Sequence, residues 1–502
     1  MRKQKQGKPQ HISDIIPVSD ISTWDGKIIT VSAGTGTGKS YFIKNVLYEY
    51  AKQNDKKILM LIHRVNCVEQ FQQEIERDGK QDTIHIMTYQ KMEQIIDTYH
   101  DDFYFEKYEY VCCDEFHYFM GDTGFNIRTD VSLNAILNQK DKTRIFMSAT
   151  PEAMKKYFRE VAKVETLDYS IPINYNFIDE VKFYKDDEVI EDLAKEVIDS
   201  GSKAIFFIQS AKKAYAFYKK CKKGTSLFSC SKTNKNNYYK HVDSAKIQEI
   251  LKNEKFEENI LITTLAMDAG VNIKDREVKT IVVDTNDVDE LIQCIGRRRI
   301  EDVKDKITLY IKDINNNCLG GRKKHLLDKI QKAEFLMNHP LITYVNKYGR
   351  DPDLYNIVYD VPTDKKEWSK CAKKVNKLMY CKCRYDIAII NKMLKYKRNG
   401  YQQYLRKMFG LNSVTTISIY GMEENLDMYL KKLVGHKLFK EDQQELINKI
   451  NLRDARNRQQ KSIQVLNAYL LENNLRFQII NKQERIKGEN FNKRYWIISQ
   501  IN

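Results

Sequence analysis

The sequence contains no apolar run long enough to span a bilayer, and no apolar stretch follows its basic opening, Met1 to Gln10. Those two absences argue against a transmembrane segment and a secretory leader. Also missing is any paired C-x-x-C spacing among the 10 cysteines. Cys371, Cys381 and Cys383 cluster without that pairing, so zinc is not expected and the sulfurs read as reduced thiols of a cytoplasmic protein. No short internal repeat is present. An apolar fraction of 42% and an aromatic fraction of 11% exclude a disordered chain.

What is present is length, positive charge and glycine-rich punctuation. The 502 residues suffice for two or three domains that each bury a core. The formal charge of +16 fits a polyanionic partner, most simply nucleic acid, or lysine-rich solvation. From Lys27 onward, short apolar runs alternate with helical segments, the pattern of a parallel sheet. The expected strands are Lys27–Val31, Lys57–Ile62, Thr83–Met87, Tyr108–Cys113 and Arg144–Met147. A connecting stretch around Leu167–Asn176 leads to a second series at Lys203–Ile208, Ser226–Phe228, Asn259–Thr263, Thr280–Val283 and Lys306–Ile311.

Directly after the first strand stands Ala33-Gly34-Thr35-Gly36-Thr37-Gly38-Lys39-Ser40. A glycine-rich turn between a strand and a helix curls backbone N–H groups around phosphate oxygens, with the helix N-terminus adding a favourable dipole. In that setting Lys39 is placed to reach the β- and γ-phosphates, and the Ser40 hydroxyl to ligate Mg²⁺. The fourth strand ends in Asp114-Glu115-Phe116-His117. Asp114 is placed to hold Mg²⁺, largely through water, and Glu115 to accept a proton from the attacking water.

These motifs, with Ser148-Ala149-Thr150, the loop around Gly270 and Gln293-Cys294-Ile295-Gly296-Arg297, follow the order found in superfamily 2 DExH helicases and translocases. The chain resembles that family over residues 25–315, most of all its viral-type members. The resemblance implies two tandem RecA-like domains with ATP bound between them. Gly34, Thr35, Gly36, Thr37, Gly38, Lys39, Ser40, Asp268 and Gly270 would then contact nucleotide. Glu115, Asp114, Lys39, Gln293 and Arg297 would carry hydrolysis, and His117, Ser148 and Thr150 would couple it to lobe movement. Arg64, Thr88, Ser210 and Thr264 would touch the backbone of DNA or RNA.

The family's second arginine falls at position 300, which here is Ile300. Arg299 is the nearest replacement if the helix ends or bends there, whereas Arg298 on a regular helix would face elsewhere and be solvated. The implied activity is ATP-dependent movement on, or unwinding of, nucleic acid, with an ATPase switch that unwinds nothing as the alternative.

The expected organisation is a mobile basic arm over 1–20, RecA-like domains over 21–170 and 171–315, and a basic, mainly helical C-terminal region over 316–502. Tyr396, Lys397, Arg398, Tyr401 and Tyr404 could stack on bases or pack as core. The stretch 440–502 reads as a winged helix with its wing tip at Gly488, or as an ordinary α+β cap with a solvated basic face.

Overall fold

The computed structural model describes residues 11–501, apart from 64, 100–104, 232–236, 266–271, 301, 303, 351–356, 363–370, 418–425, 451, 453–457, 473–474 and 487–489. Contacts divide the chain into a large unit that ends at Thr416 and a small unit from Ile417 onward, which also takes in Asp186–Val189.

The large unit holds two parallel sheets. The first comprises β1 (Ile28–Ala33), β2 (Ile58–Ile62), β3 (Ile84–Thr88), β4 (Tyr110–Asp114), β5 (Thr143–Ser148) and β6 (Leu167–Ile171), in the order β3-β2-β4-β5-β1-β6. Its central strands read as continuous apolar runs because both faces are covered. Ile29, Val31, Ile58, Met60, Tyr110, Cys112, Ile145 and Met147 face one apolar cluster. Their neighbours Ile28, Leu59, Leu61, Val111, Cys113 and Phe146 face another.

The second sheet comprises β7 (Ile178–Tyr184), β8 (Lys203–Ile208), β9 (Ser226–Ser229), β10 (Ile260–Thr264), β11 (Val278–Val283) and β12 (Ile307–Lys312). Its order is β7-β12-β11-β8-β10-β9, with a short outer strand at Thr415–Ile417 beside β7. Both sheets are parallel α/β layers of the RecA-like type, and a mainly helical region follows them.

Two departures from the sequence expectations lie in this unit. Residues 11–20, read as part of a mobile arm, form the helix Ile12–Ile15 and most of the helix Val18–Ile21. Ile12, Ile16 and Ile21 are buried with Trp24 against the first sheet, because three isoleucines on a short polar stretch bury enough apolar surface to hold it. Residues 1–10 lie outside the described residues. The connecting stretch at Leu167 proves to be strand β6, paired in parallel with β1 from Ile29↔Leu167 to Ala33↔Ile171. As an edge strand with exposed Leu167 and Asp168, it lacks the apolar run that marks a central strand.

The small unit has the helices Leu426–Leu433, Lys440–Ile450 and Ile463–Glu472, then an antiparallel hairpin of Phe477–Gln483 and Arg494–Gln500. Val434 and Leu438, between the first two helices, bridge to Ile498 and Trp496, adding a third strand position. The three helices and the hairpin of this unit share one core of Leu430, Leu446, Leu466, Phe477 and Trp496. Its first helix lies upstream of the 440–502 stretch. Its third helix, IQVLNAYLLE, carries no lysine or arginine. Gly488, the expected wing tip, is outside the described residues.

Candidate nucleotide site

The candidate phosphate loop joins β1 to the helix that opens at Lys39. Gly36 and Gly38 adopt φ of 82° and 83°, the left-handed region that a β-carbon disfavours, so glycine is required at both turns. The N-terminal helices brace this loop, since Ile12 N–H donates to Thr37 O at 2.9 Å. Lys39 Nζ donates to Ala33 O at 2.8 Å and Gly34 O at 3.0 Å. Burial pushes the Lys39 ammonium below its ordinary range, against the pull of Glu115 and Asp114.

Asp114 ends β4, and Tyr89 Oη donates to its carbonyl at 2.9 Å. The next residue, Glu115, sits at φ 51°, an uncommon conformation for a side chain of its size. Backbone strain of that kind collects at functional sites. Desolvation and the Glu115 charge hold the Asp114 carboxyl above the usual carboxylate range. Glu115 goes the other way. Desolvation raises it, but the His117 hydrogen bond and the Lys39 and His117 charges outweigh that and keep it ionised.

From Glu115 a polar relay crosses to the second sheet's lobe. His117 Nδ1 lies 3.2 Å from Glu115 Oε2 and 3.0 Å from Ser148 Oγ. The Thr150 N–H donates to Ser148 Oγ at 3.0 Å. Thr150 Oγ1 accepts from Gln293 Nε2 at 3.0 Å, and Gln293 stands on the helix Val288–Gly296 beyond β11. The lobes also meet closely at Gly296, where a β-carbon would fall 2.7 Å from Thr35 Oγ1, so only glycine fits without movement.

The three arginines after that helix separate by direction. The helix stops at Gly296, and Arg298 enters a parallel bridge with Ile273. Ile273 N–H donates to Arg297 O, and Arg299 N–H donates to Ile273 O, both at 2.8 Å. All three contribute atoms to the cleft lining. Arg298 turns inward, donating from Nη2 to both Asp305 carboxylate oxygens at 2.8 and 2.7 Å.

Arg298 is therefore not the solvated residue expected from a regular helix. It is 2% exposed. Arg298→Ala is expected to strand a buried Asp305 and cost about 3–5 kcal/mol of stability. A thermal or denaturant melt checks this, and an unchanged midpoint would contradict it.

Arg299 Nη1 is buried without a hydrogen-bond partner and comes within 3.9 Å of a β-carbon placed on Gly36. Burial and the Arg297 charge lower it to about 10, which leaves it cationic at neutral pH. An orphaned guanidinium nitrogen above a glycine-rich phosphate cradle fits an anionic phosphate between them. The cleft encloses about 1910 Å³. No cluster of three acidic, His or Cys ligands occurs among the described residues, so a metal here would need phosphate and water to complete its shell beside Ser40 and Asp114.

Part of this cleft matches a known family. Residues 75–153, from the helix before β3 to just past Thr150, match the model for the type III restriction enzyme, res subunit. No curated protein matches the chain. Among solved structures, Mss116p bound to ssRNA and AMP-PNP is similar at 17% identity and a TM-score of 0.45, over 62% of this chain and 71% of that one. Dbp5 of S. cerevisiae bound to RNA and ADP BeF3 is similar at 15% identity and a TM-score of 0.42, over 57% and 80%. The Mycobacterium smegmatis helicase Lhr bound to ssDNA and AMP-PNP is similar at 13% identity and 0.42, over 62% of this chain but 46% of that one.

Of the other expected residues that the structure describes, Thr88, Ser210 and Thr264 do not line the cleft. Thr88, Ser210 and Thr264 stand at or just past the C-terminal ends of β3, β8 and β10. Thr88 Oγ1 accepts from Lys91 N, and Ser210 Oγ from Lys213 N, so both cap helices. Arg64, Asp268 and Gly270 lie outside the described residues. Tyr401 is core, with its hydroxyl donating to Thr285 O at 3.1 Å, and Tyr404 packs against the same cluster. Sequence reading missed the docking of residues 11–21 under the loop and the buried ion pair of Arg298 with Asp305. Only the three isoleucines hinted at the first.

Proposed function

We propose that the chain is an ATP-dependent helicase or translocase of the DExH type, coupling hydrolysis at this cleft to movement on DNA or RNA. The observation that carries the reading is the relay Glu115–His117–Ser148–Thr150–Gln293, which links the catalytic carboxylate of one lobe to the other lobe. A change at the γ-phosphate that moves Glu115 or His117 is felt at Gln293, and a hinge closure follows from that.

In this reading Lys39 and the loop amides from Gly34 to Ser40 hold the phosphates, and Glu115 orients the attacking water. Arg297 and Arg299 meet the charge that develops on the transferred phosphoryl group. Ser40 and Asp114 would hold Mg²⁺, whose chemistry is neutralisation of phosphate oxygens. His117, Ser148 and Thr150 transmit the change. Asp268 and Gly270 would complete the nucleotide site, with Arg64, Thr88, Ser210 and Thr264 on the nucleic-acid backbone. The organisation into 21–170, 171–315 and 316–502, the viral-type likeness and a cytoplasmic location belong to the same proposal. Among the described residues, no helix is long and apolar enough to cross a membrane.

The test is ATP hydrolysis with and without single- and double-stranded DNA and RNA. Polynucleotide is expected to accelerate turnover, with affinity falling steeply as salt rises, because lysine and arginine contacts release counterions. A rate unmoved by every polynucleotide at low salt would favour the non-unwinding ATPase switch.

A further inference from the structure

The helix Lys377–Leu394 comes well after the second sheet, yet it packs on both lobes. Near its start, Leu378 is fully buried in the cluster of Phe116, Phe119 and Phe146, with Cys381 and Tyr385 against it. Those phenylalanines flank Asp114 and Ser148 in the first lobe. Near its end, Ile390 and Met393 lie in the cluster of Leu291, Cys294 and Ile295, on the helix that carries Gln293. Residues 378, 382, 386 and 390 follow one another in steps of four, a stripe along one side of a helix.

Between the two apolar ends sits a charge cluster. Lys382 Nζ donates to Asp386 Oδ1 at 2.6 Å and Asp287 Oδ2 at 3.2 Å, and lies 3.9 Å from Asp289 Oδ2. Asp287 caps the helix Val288–Gly296, its Oδ1 accepting from the N–H groups of Asp289 and Glu290 at 2.9 and 3.3 Å. Arg322, on the helix Asn316–Asn338, donates to Asn286 O at 2.7 Å and reaches Asp287 Oδ2 at 3.5 Å. One carboxylate thus receives a cation from each of two C-terminal helices while its other oxygen starts the helix that ends beside Thr35.

We infer that the helix Lys377–Leu394 is a brace that sets the spacing of the two lobes, and that Lys382 is a positioning residue acting through Asp287 on Gln293, Arg297 and Arg299. Its activity readout rests on the proposed hydrolysis. Leu378 and Tyr385 grip the first lobe, Ile390 and Met393 the second, and Lys382 ties the grip to the helix that must meet Thr150. Misplacing such groups by about an ångström costs on the order of 10²-fold in rate without loosening the ligand.

The test uses the full chain with Lys382→Met, which removes the charge, and Lys382→Arg, which keeps it. Lys382→Met is expected to lower kcat by roughly 10- to 100-fold with KM for ATP nearly unchanged, and Lys382→Arg to recover most of the loss. Separately, paired unnatural-residue labels at the exposed Lys140 and Lys222 report the distance between lobes. That distribution is expected to be narrow in the parent and broad in Lys382→Met. A kcat within about twofold of the parent together with an unchanged distribution would overturn the brace. If Lys382→Met fails to fold, Tyr385→Ala loosens the first-lobe grip with the charges intact and is read the same way. A parent protein that hydrolyses no ATP would sink the hydrolysis proposal, and the label distances would still decide the brace.

Discussion

Glu115→Gln is expected to bind nucleotide as the parent does and to turn it over about two or more orders of magnitude more slowly. The substitution keeps the size of the side chain and removes its charge. Glu115 is aimed by its left-handed backbone, φ 51°, and by His117 at 3.2 Å. Its carboxylate is held below the usual range once the His117 hydrogen bond and the Lys39 charge outweigh desolvation. A carboxylate so stabilised is a weak base, so its contribution is chiefly to orient the water and to accept the proton late. Glutamine can still hydrogen-bond to water but presents an NH₂ group and no negative charge. Nucleotide titration followed by single-turnover hydrolysis separates binding from chemistry. Parent-like turnover in purified Glu115→Gln would remove Glu115 from the mechanism.

Arg299→Ala is expected to lower turnover on the order of 10³-fold, the usual contribution of an arginine that meets transferring phosphoryl charge. Little change in nucleotide affinity is expected, because Lys39 and the loop amides make the ground-state contacts. The geometric basis is the unpartnered Nη1 facing the Gly36 turn. Arg297→Ala belongs beside it, since Arg297 lines the same cleft. Turnover of Arg299→Ala within about tenfold of the parent at saturating ATP and polynucleotide would leave Arg297 to carry the charge alone. Arg298→Ala is the internal control, with its loss appearing in the melting midpoint rather than in a specific loss of kcat.

The strand–loop–helix order around Gly36 and Gly38 was legible in the sequence alone. Ile28–Ala33 is buried on both faces, and the glycines at 36 and 38 occupy left-handed turns, features that local chemistry dictates. The same holds for β8, whose observed bounds, Lys203–Ile208, are those read from the apolar run. Asp114 and Glu115 were legible because a central strand ends there, and strand ends in a parallel sheet are where ligands bind.

Tertiary structure alone decided the rest. Residues 11–21 are polar enough to pass for an arm, and only the proximity of the first sheet gives Ile12, Ile16 and Ile21 somewhere to be buried. Strand β6 exists because β1 offers it an unpaired edge. Arg298 and Arg299 are adjacent and chemically identical, and helix geometry set their directions apart without revealing the buried ion pair that Arg298 makes with Asp305. Their roles part because Ile273, 25 residues before Arg298, captures that segment in a bridge and Asp305 takes the Arg298 guanidinium. The contact between Gln293 and Thr150 is likewise invisible along the chain, since a hydrogen bond spanning 143 residues exists only once two separately folded sheets face each other.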